Sequence, residues 1–398
     1  MPRRDHAGST RHPPRRTAPR TVPFYAAGPA VVRRRCTAAF LPWAAAVAFL
    51  AGGLGGCGGP DTGRQAPVAA DRAADPRDLC GRIDAALAHA RDARRLDADV
   101  HGAWQVVHGI LAFGRDFPLR HDGGESSAAD YLLGGGRLAG WKLRAGGVGA
   151  VAEIEAGSTL GQGHPDQWLG YLSQCGREPI PLDARLVVGG RDLRVRDLLT
   201  QAQADIRPGQ EATWTLMALA AHLPADAAWT AADGSRWTVE RVVEMEADAD
   251  VFSAACGGAH RLYALVMALR RHLAAGGDRD RLSGGWAAAA EVIEECIDRA
   301  RRFQEPDGGF SIHFFERPGT SADAFARLGA TGHVFEVLAA ALDDERLTEP
   351  WVTRAADRLV TLLEQTADVD VECGALYHAA HGLLLYRDRV CAGISPPP

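Results

Sequence analysis

Five segments that are apolar nearly all round recur along the 398-residue chain, and they constrain its fold more than any other feature. They begin HGAWQVVHGILAF at His101, EATWTLMALAAHL at Glu211, CGGAHRLYALVMAL at Cys256, GATGHVFEVLAAAL at Gly329 and CGALYHAAHGLLLY at Cys373. Read as helices over 99–113, 211–223, 255–272, 329–342 and 373–386, they must be surrounded by protein, because no face is polar enough for water. Between them lie amphipathic segments at 77–97, 196–205, 239–247, 286–303 and 351–366, which suit an outer layer. The alternation predicts an all-α double ring, inner helices within outer ones.

The inner segments share a register. Their positions one, five and eight fall on one helical face. These are His101, Gln105 and His108; Glu211, Thr215 and Ala218; Cys256, His260 and Tyr263; Gly329, His333 and Glu336; and Cys373, Tyr377 and Ala380, with His381 one residue further on. Polar groups on an otherwise buried helix need partners or a wet cavity. A ring therefore predicts that these faces converge at its centre.

Two short insertions break the pattern. DARLVVGGRDLRV around Gly189-Gly190 and WTAADGSRWTV around Asp233-Gly234 alternate about turn-forming pairs, predicting β-hairpins that run into the outer helices at Arg196 and Glu240. From Gly114 to Gly163 the chain is glycine-rich and weakly periodic, reading as an irregular excursion that lids one end of the ring. Asp75 and Pro76 mark the start of the first outer helix.

RARRFQEPDGGF carries Gln304, Asp307, Gly308, Gly309 and Phe310, which resemble the Q-x-x-D-G-G-F repeat of the prenyltransferase β-subunit and squalene cyclase superfamily. Together with GHPDQWLGYLSQCG and CGGAHRLYALVMALRR, the chain also resembles an uncharacterised family of exported bacterial proteins. The resemblance implies an α/α toroid of five to six helix pairs over 76–390, with small β-hairpin insertions. The cyclases' D-x-D-D acid is absent: Asp248-Ala-Asp250 and Asp368-Val-Asp370-Val-Glu372 lack the final Asp pair. The prenyltransferases' Asp-x-Cys is absent too, although Tyr377-His378 matches their later Tyr-His.

Three groups of residues carry candidate chemistry. Cys256 and His260, four apart, with Cys373 and His378 would form a zinc-type donor set; the competing reading pairs Cys256 with Cys373 as a disulfide or packs both as small hydrophobes. His260, Tyr263, His333 and Glu336 suit proton abstraction and return, with His260 or His333 as base and Tyr263 as acid. Arg261 would neutralise a substrate carboxylate. GQGHPDQWLGYL, with His164, Asp166, Gln167 and Trp168, reads as a loop leading into a helix whose start caps or lies over the cavity mouth, ordinary helix capping being the competing reading. His101, Trp104, His108, Trp214, His378 and His381 complete the expected cavity wall, with Trp168 adding aromatic surface.

The N-terminus reads as an export signal. Arg33, Arg34 and Arg35 precede an apolar run, and Leu54-Gly55-Gly56-Cys57 resembles the bacterial lipobox, which implies lipidation of Cys57 and an anchor in the cell envelope. The expected organisation is 1–57 extension and lipoprotein signal, 58–75 flexible tether, 76–390 toroid and 391–398 tail, with translation beginning near Val31 or Val32. Beyond Cys57 the chain holds 35 basic and 49 acidic residues, which disfavours nucleic acid as a partner. Lys142 is the sole lysine, which disfavours Schiff-base chemistry. Six cysteines remain in a compartment that favours disulfides, and Cys80 with Cys391 would staple the domain's ends. Two functions follow: a lyase or hydrolase acting on a carbohydrate in the hollow, with zinc the one cofactor these residues suggest, or a non-catalytic lipid-anchored binding or envelope-scaffold protein.

Overall fold

A computed structural model describes residues 76–392. The signal, Cys57, the tether and all but the first two residues of the tail lie outside the described residues. The described chain is mostly helical, with four two-stranded antiparallel hairpins.

Six helices, α2 (Ala103–Phe113), α4 (Gln167–Gln174), α6 (Thr213–His222), α8 (Ala259–Ala274), α10 (Ala324–Ala341) and α13 (Cys373–Val390), pack each on the next, and α13 packs back on α2. They are buried along nearly their whole length, as expected of helices lacking a polar face. Around them lie α1 (Pro76–Asp92), α3 (Ala128–Leu133), α5 (Val195–Asp205), α7 (Val239–Asp248), α9 (Gly284–Arg302) and α12 (Pro350–Gln365). Each outer helix packs on at least one of the six, and α1 also meets α12. The short α11 (Asp344–Leu347) connects α10 to α12.

The two expected hairpins form: β5 (Arg185–Val188) with β6 (Arg191–Arg194), and β7 (Ala228–Thr230) with β8 (Arg236–Thr238). The glycine-rich excursion is more ordered than expected. It contains β1 (Pro118–His121) paired with β2 (Gly124–Ser127), then α3, then β3 (Leu143–Ala145) paired with β4 (Ala150–Ala152). GQGHPDQWLGYL, read as a loop leading into a helix over the cavity mouth, becomes α4, a sixth buried helix.

The Q-x-x-D-G-G-F segment acts as a structural clamp. Gln304 Nε2 donates to the Gly308 and Trp351 carbonyls at 3.0 and 2.8 Å. Asp307 pairs with Arg327 of α10 at 2.6 Å and Arg358 of α12 at 3.2 Å, while Phe310 is fully buried. Gly308 has φ +91, and a Cβ there would meet the Arg354 carbonyl oxygen, so the turn needs glycine. The motif thus ties the end of α9 to the neighbouring α10 and α12. Cys80 and Cys391 are bridged, joining residues 311 apart.

Candidate functional site

An open pocket of about 450 Å³ lies against the six buried helices. Trp104, Gln167, Trp214 and His260 line it from the first residues of α2, α4, α6 and α8, and Gly374 does so from α13. The starts of α6 and α13 are capped by carboxylates, Glu246 and Glu372, and Glu372 itself lines the pocket. Ala156, Gly157, Ser158 and Gly163 come from the excursion, whose Leu160 carbonyl accepts from Trp104 N at 2.8 Å.

Five histidines line this pocket: His108, His164, His260, His333 and His378. Ring centroids lie 4.1 Å apart for His333 and His378, 4.9 Å for His260 and His378, 5.3 Å for His260 and His333, and 5.2 Å for His108 and His378. Each tautomer follows from the hydrogen bonds. His108 Nδ1 donates to the Trp104 carbonyl at 2.5 Å, and its Nε2 accepts from the Tyr171 hydroxyl at 3.2 Å. His333 Nδ1 donates to the Gly329 carbonyl at 2.7 Å, leaving Nε2 with a free lone pair. His378 Nδ1 donates to Glu336 at 2.8 Å, and its buried Nε2 has no partner. His164 Nδ1 donates to Glu211 at 2.9 Å while its ring stacks on Trp214.

Burial keeps the central imidazoles neutral. Desolvation lowers His108 to about 3, and it outweighs the pull of Glu336 in holding His333 down and His378 well below the ordinary value. Glu336 shows the opposite balance. Burial opposes its charge, but the Nδ1–H groups of His378 and His381, at 2.8 and 2.6 Å, hold its carboxyl below the usual range. A buried carboxylate between two donors orients both rings.

The expected residues separate into two depths. His260 and His333 reach the pocket, whereas Tyr263 and Glu336 lie outside its lining; Glu336 supports His378 and His381, and the Tyr263 ring packs 5.9 Å from His381. Among expected wall residues, Trp104, His108, His164, Trp214 and His378 line the pocket, while His101, Asp166, Arg261 and His381 do not. His101 Nδ1 accepts the Asp97 backbone N–H, and Asp166 accepts from Thr215 at 2.6 Å beneath the start of α4. Arg261 is committed to buried Glu246 at 3.0 Å and to the Asp250 carbonyl at 2.7 Å.

Cys256 stands apart from its expected helix. α8 begins only at Ala259, because Cys256, Gly257 and Gly258 take φ of +51, +58 and +87. This left-handed turn still brings Cys256 beside His260 and His333: one donor atom from each lies within 4.8 Å of the others. Cys373 is buried and outside the pocket lining, and it is free, as is Cys256. The sequence reading missed Tyr171, Ser158 and Glu372 as wall residues, whereas Gln167, placed at the cavity mouth, does line the pocket. Tyr171 and Gln167 sit on α4, whose short GHPDQWLGYL signal read as a loop and cap. Glu372 is the N-cap of α13, accepting from Gly374 and Ala375 N. No family model matches the chain, nor does any curated protein or solved structure.

Proposed function

We propose that this chain is an exported, lipid-anchored α/α-toroid enzyme, akin in architecture to the prenyltransferase and squalene cyclase proteins, that breaks a bond in a carbohydrate as a hydrolase or lyase. The observation that carries the reading is an open pocket in which neutral imidazoles stand beside two tryptophans. A scaffold would fill such a centre with packed apolar side chains, whereas this one is polar and accessible. The cyclic packing of α2, α4, α6, α8, α10 and α13 supports the toroid, and the Cys80–Cys391 bridge suits an oxidising compartment outside the cytoplasm.

Trp104, only partly buried, offers an apolar face for a sugar ring, and Trp214 lies beneath the stacked His164 ring as a firm backing to the wall. His333 and His378, both held below the ordinary imidazole value by burial, present uncharged bases beside His260, and Tyr171, rather than the deeper Tyr263, offers a hydroxyl at the wall. With Arg261 committed to Glu246 and Glu372 at the wall, the pocket lining favours a neutral sugar over an acidic one. A thermal-shift panel of neutral and acidic oligosaccharides tests the reading. A shift of several degrees with wild type that His260→Ala and Trp214→Ala abolish is expected. Equal shifts for all three proteins, or none with any sugar, would remove the pocket from carbohydrate binding.

A further inference from the structure

We infer that Cys256, His260 and His333 form a binding site for a divalent transition metal of the zinc class at the edge of the pocket. The inference rests on the pocket being functional and assigns a role to its histidine cluster. Thiolate and imidazole are the donors that zinc prefers. The geometry supplies one donor atom from each residue, all within 4.8 Å of one another, without moving a helix. His333 is already fixed as a ligand should be, since its Nδ1–H is held by the Gly329 carbonyl and Nε2 is left free. His260 makes no hydrogen bond among the described residues, so both its nitrogens are available.

A second observation points to the same place. His378 Nε2 is buried and unpartnered, in a ring centred 4.1 Å from that of His333 and 4.9 Å from that of His260. Its Nδ1 proton belongs to Glu336, so Nε2 must be an acceptor with nothing to accept. Three protein donors leave a tetrahedral ion one open position. All three donor residues line the pocket, so that position opens toward a ligand, with His378 Nε2 beside it as a proton acceptor. His260 and His333 then act as ligands and His378 as the free base.

Cobalt(II) titration of the chelator-treated full chain tests the site by its absorption, with no need of substrate. One equivalent is expected to bind, with a thiolate-to-cobalt charge-transfer band. Cys256→Ser, at an exposed position, should lose that band, and His333→Ala should weaken zinc binding by more than about 10-fold. Cys373→Ala should leave the spectrum unchanged. Failure to bind stoichiometric cobalt, or an undiminished thiolate band in Cys256→Ser, overturns the site. The carbohydrate screen on chelator-treated protein separates the two readings: sugar shifts without metal binding sink only the metal site, and metal binding without sugar shifts sinks only the carbohydrate reading.

Discussion

Acidification should expose the cost of keeping His108 neutral. Its ring is buried between Trp104 and Tyr171, with centroids 4.1 and 4.8 Å away, and desolvation lowers it to about 3 from an ordinary value near 6.5. Between those two values the unfolded chain holds a proton that the folded chain refuses. Stability therefore falls as pH falls, beginning near 6.5 and continuing until the folded group titrates. At about 1.36 kcal/mol per pH unit, this one group removes about 2.7 kcal/mol between pH 7.5 and pH 4.5. His108→Phe keeps a ring of similar shape and cannot take the proton. Leaving the Tyr171 hydroxyl unpartnered costs the variant about 1–3 kcal/mol at any pH, so the diagnostic is the slope rather than the absolute stability. Urea unfolding of both chelator-treated proteins at the two pH values measures it. Carboxylate and other histidine contributions cancel between them. The wild type should lose about 2–3 kcal/mol more than the variant. Parallel losses, or a His108 ring resonance titrating near 6.5 in the folded protein, would refute the argument.

Two further outcomes test the frame around the site. Arg261→Met should cost about 3–5 kcal/mol, because it strands Glu246, whose other partners are Ala212 N and Thr213 Oγ1; the Arg261→Met, Glu246→Leu double variant should recover most of that loss, and additive losses would show that the pair is not coupled. Cys391→Ser should lower stability by about 2–4 kcal/mol through release of the 311-residue link to Cys80, with no change on adding reductant to the variant; identical melting of oxidised wild type and variant would count against the bridge.

Much of the helical pattern was legible because burial on every side leaves a plain signature. His108, His260, His333 and His378 stood out as polar residues within such segments, and they gather at one pocket. The excursion was not legible. β1 to β4 are each three or four residues long, too short for alternation to show, and α4 has only eight residues with a glycine at its middle. Reading α4 as a helix at the cavity mouth rather than as one of the inner set left Tyr171 out of the expected wall. Depth along the helices was also hidden. The one-five-eight register identifies a face but not how far down the opening reaches. Tyr263 and Glu336 therefore read as equals of His260 and His333, although they sit outside the lining. Cys256 reached its place by another route than the expected i,i+4 helical spacing, since Gly257 and Gly258 break the helix. A Cβ on Gly257 would meet the Phe314 ring, and one on Gly258 the Val251 carbonyl, so the turn is enforced by packing that no local pattern displays.

Two of the places where the chain departs from what stability alone favours lie at the pocket. Cys256 holds a left-handed conformation that costs a side-chain-bearing residue about 1–2 kcal/mol. His378 Nε2 is buried without a partner, a cost of about 1–3 kcal/mol. Phe314, which packs edge-on 5.9 Å from the His333 ring, also has positive φ at +54. Elsewhere the six central helices are packed largely with alanine, leucine and valine; Glu336 and Glu246 are supplied with donors, while Trp168 Nε1, Trp214 Nε1 and the Tyr377 hydroxyl are also buried without partners. Strain and unpaired lone pairs persist where the surrounding structure over-determines them, and they concentrate at sites whose work requires them. Here the Cys256 turn and the unpaired His378 nitrogen belong to residues lining one pocket, which is what the proposed metal site requires of them.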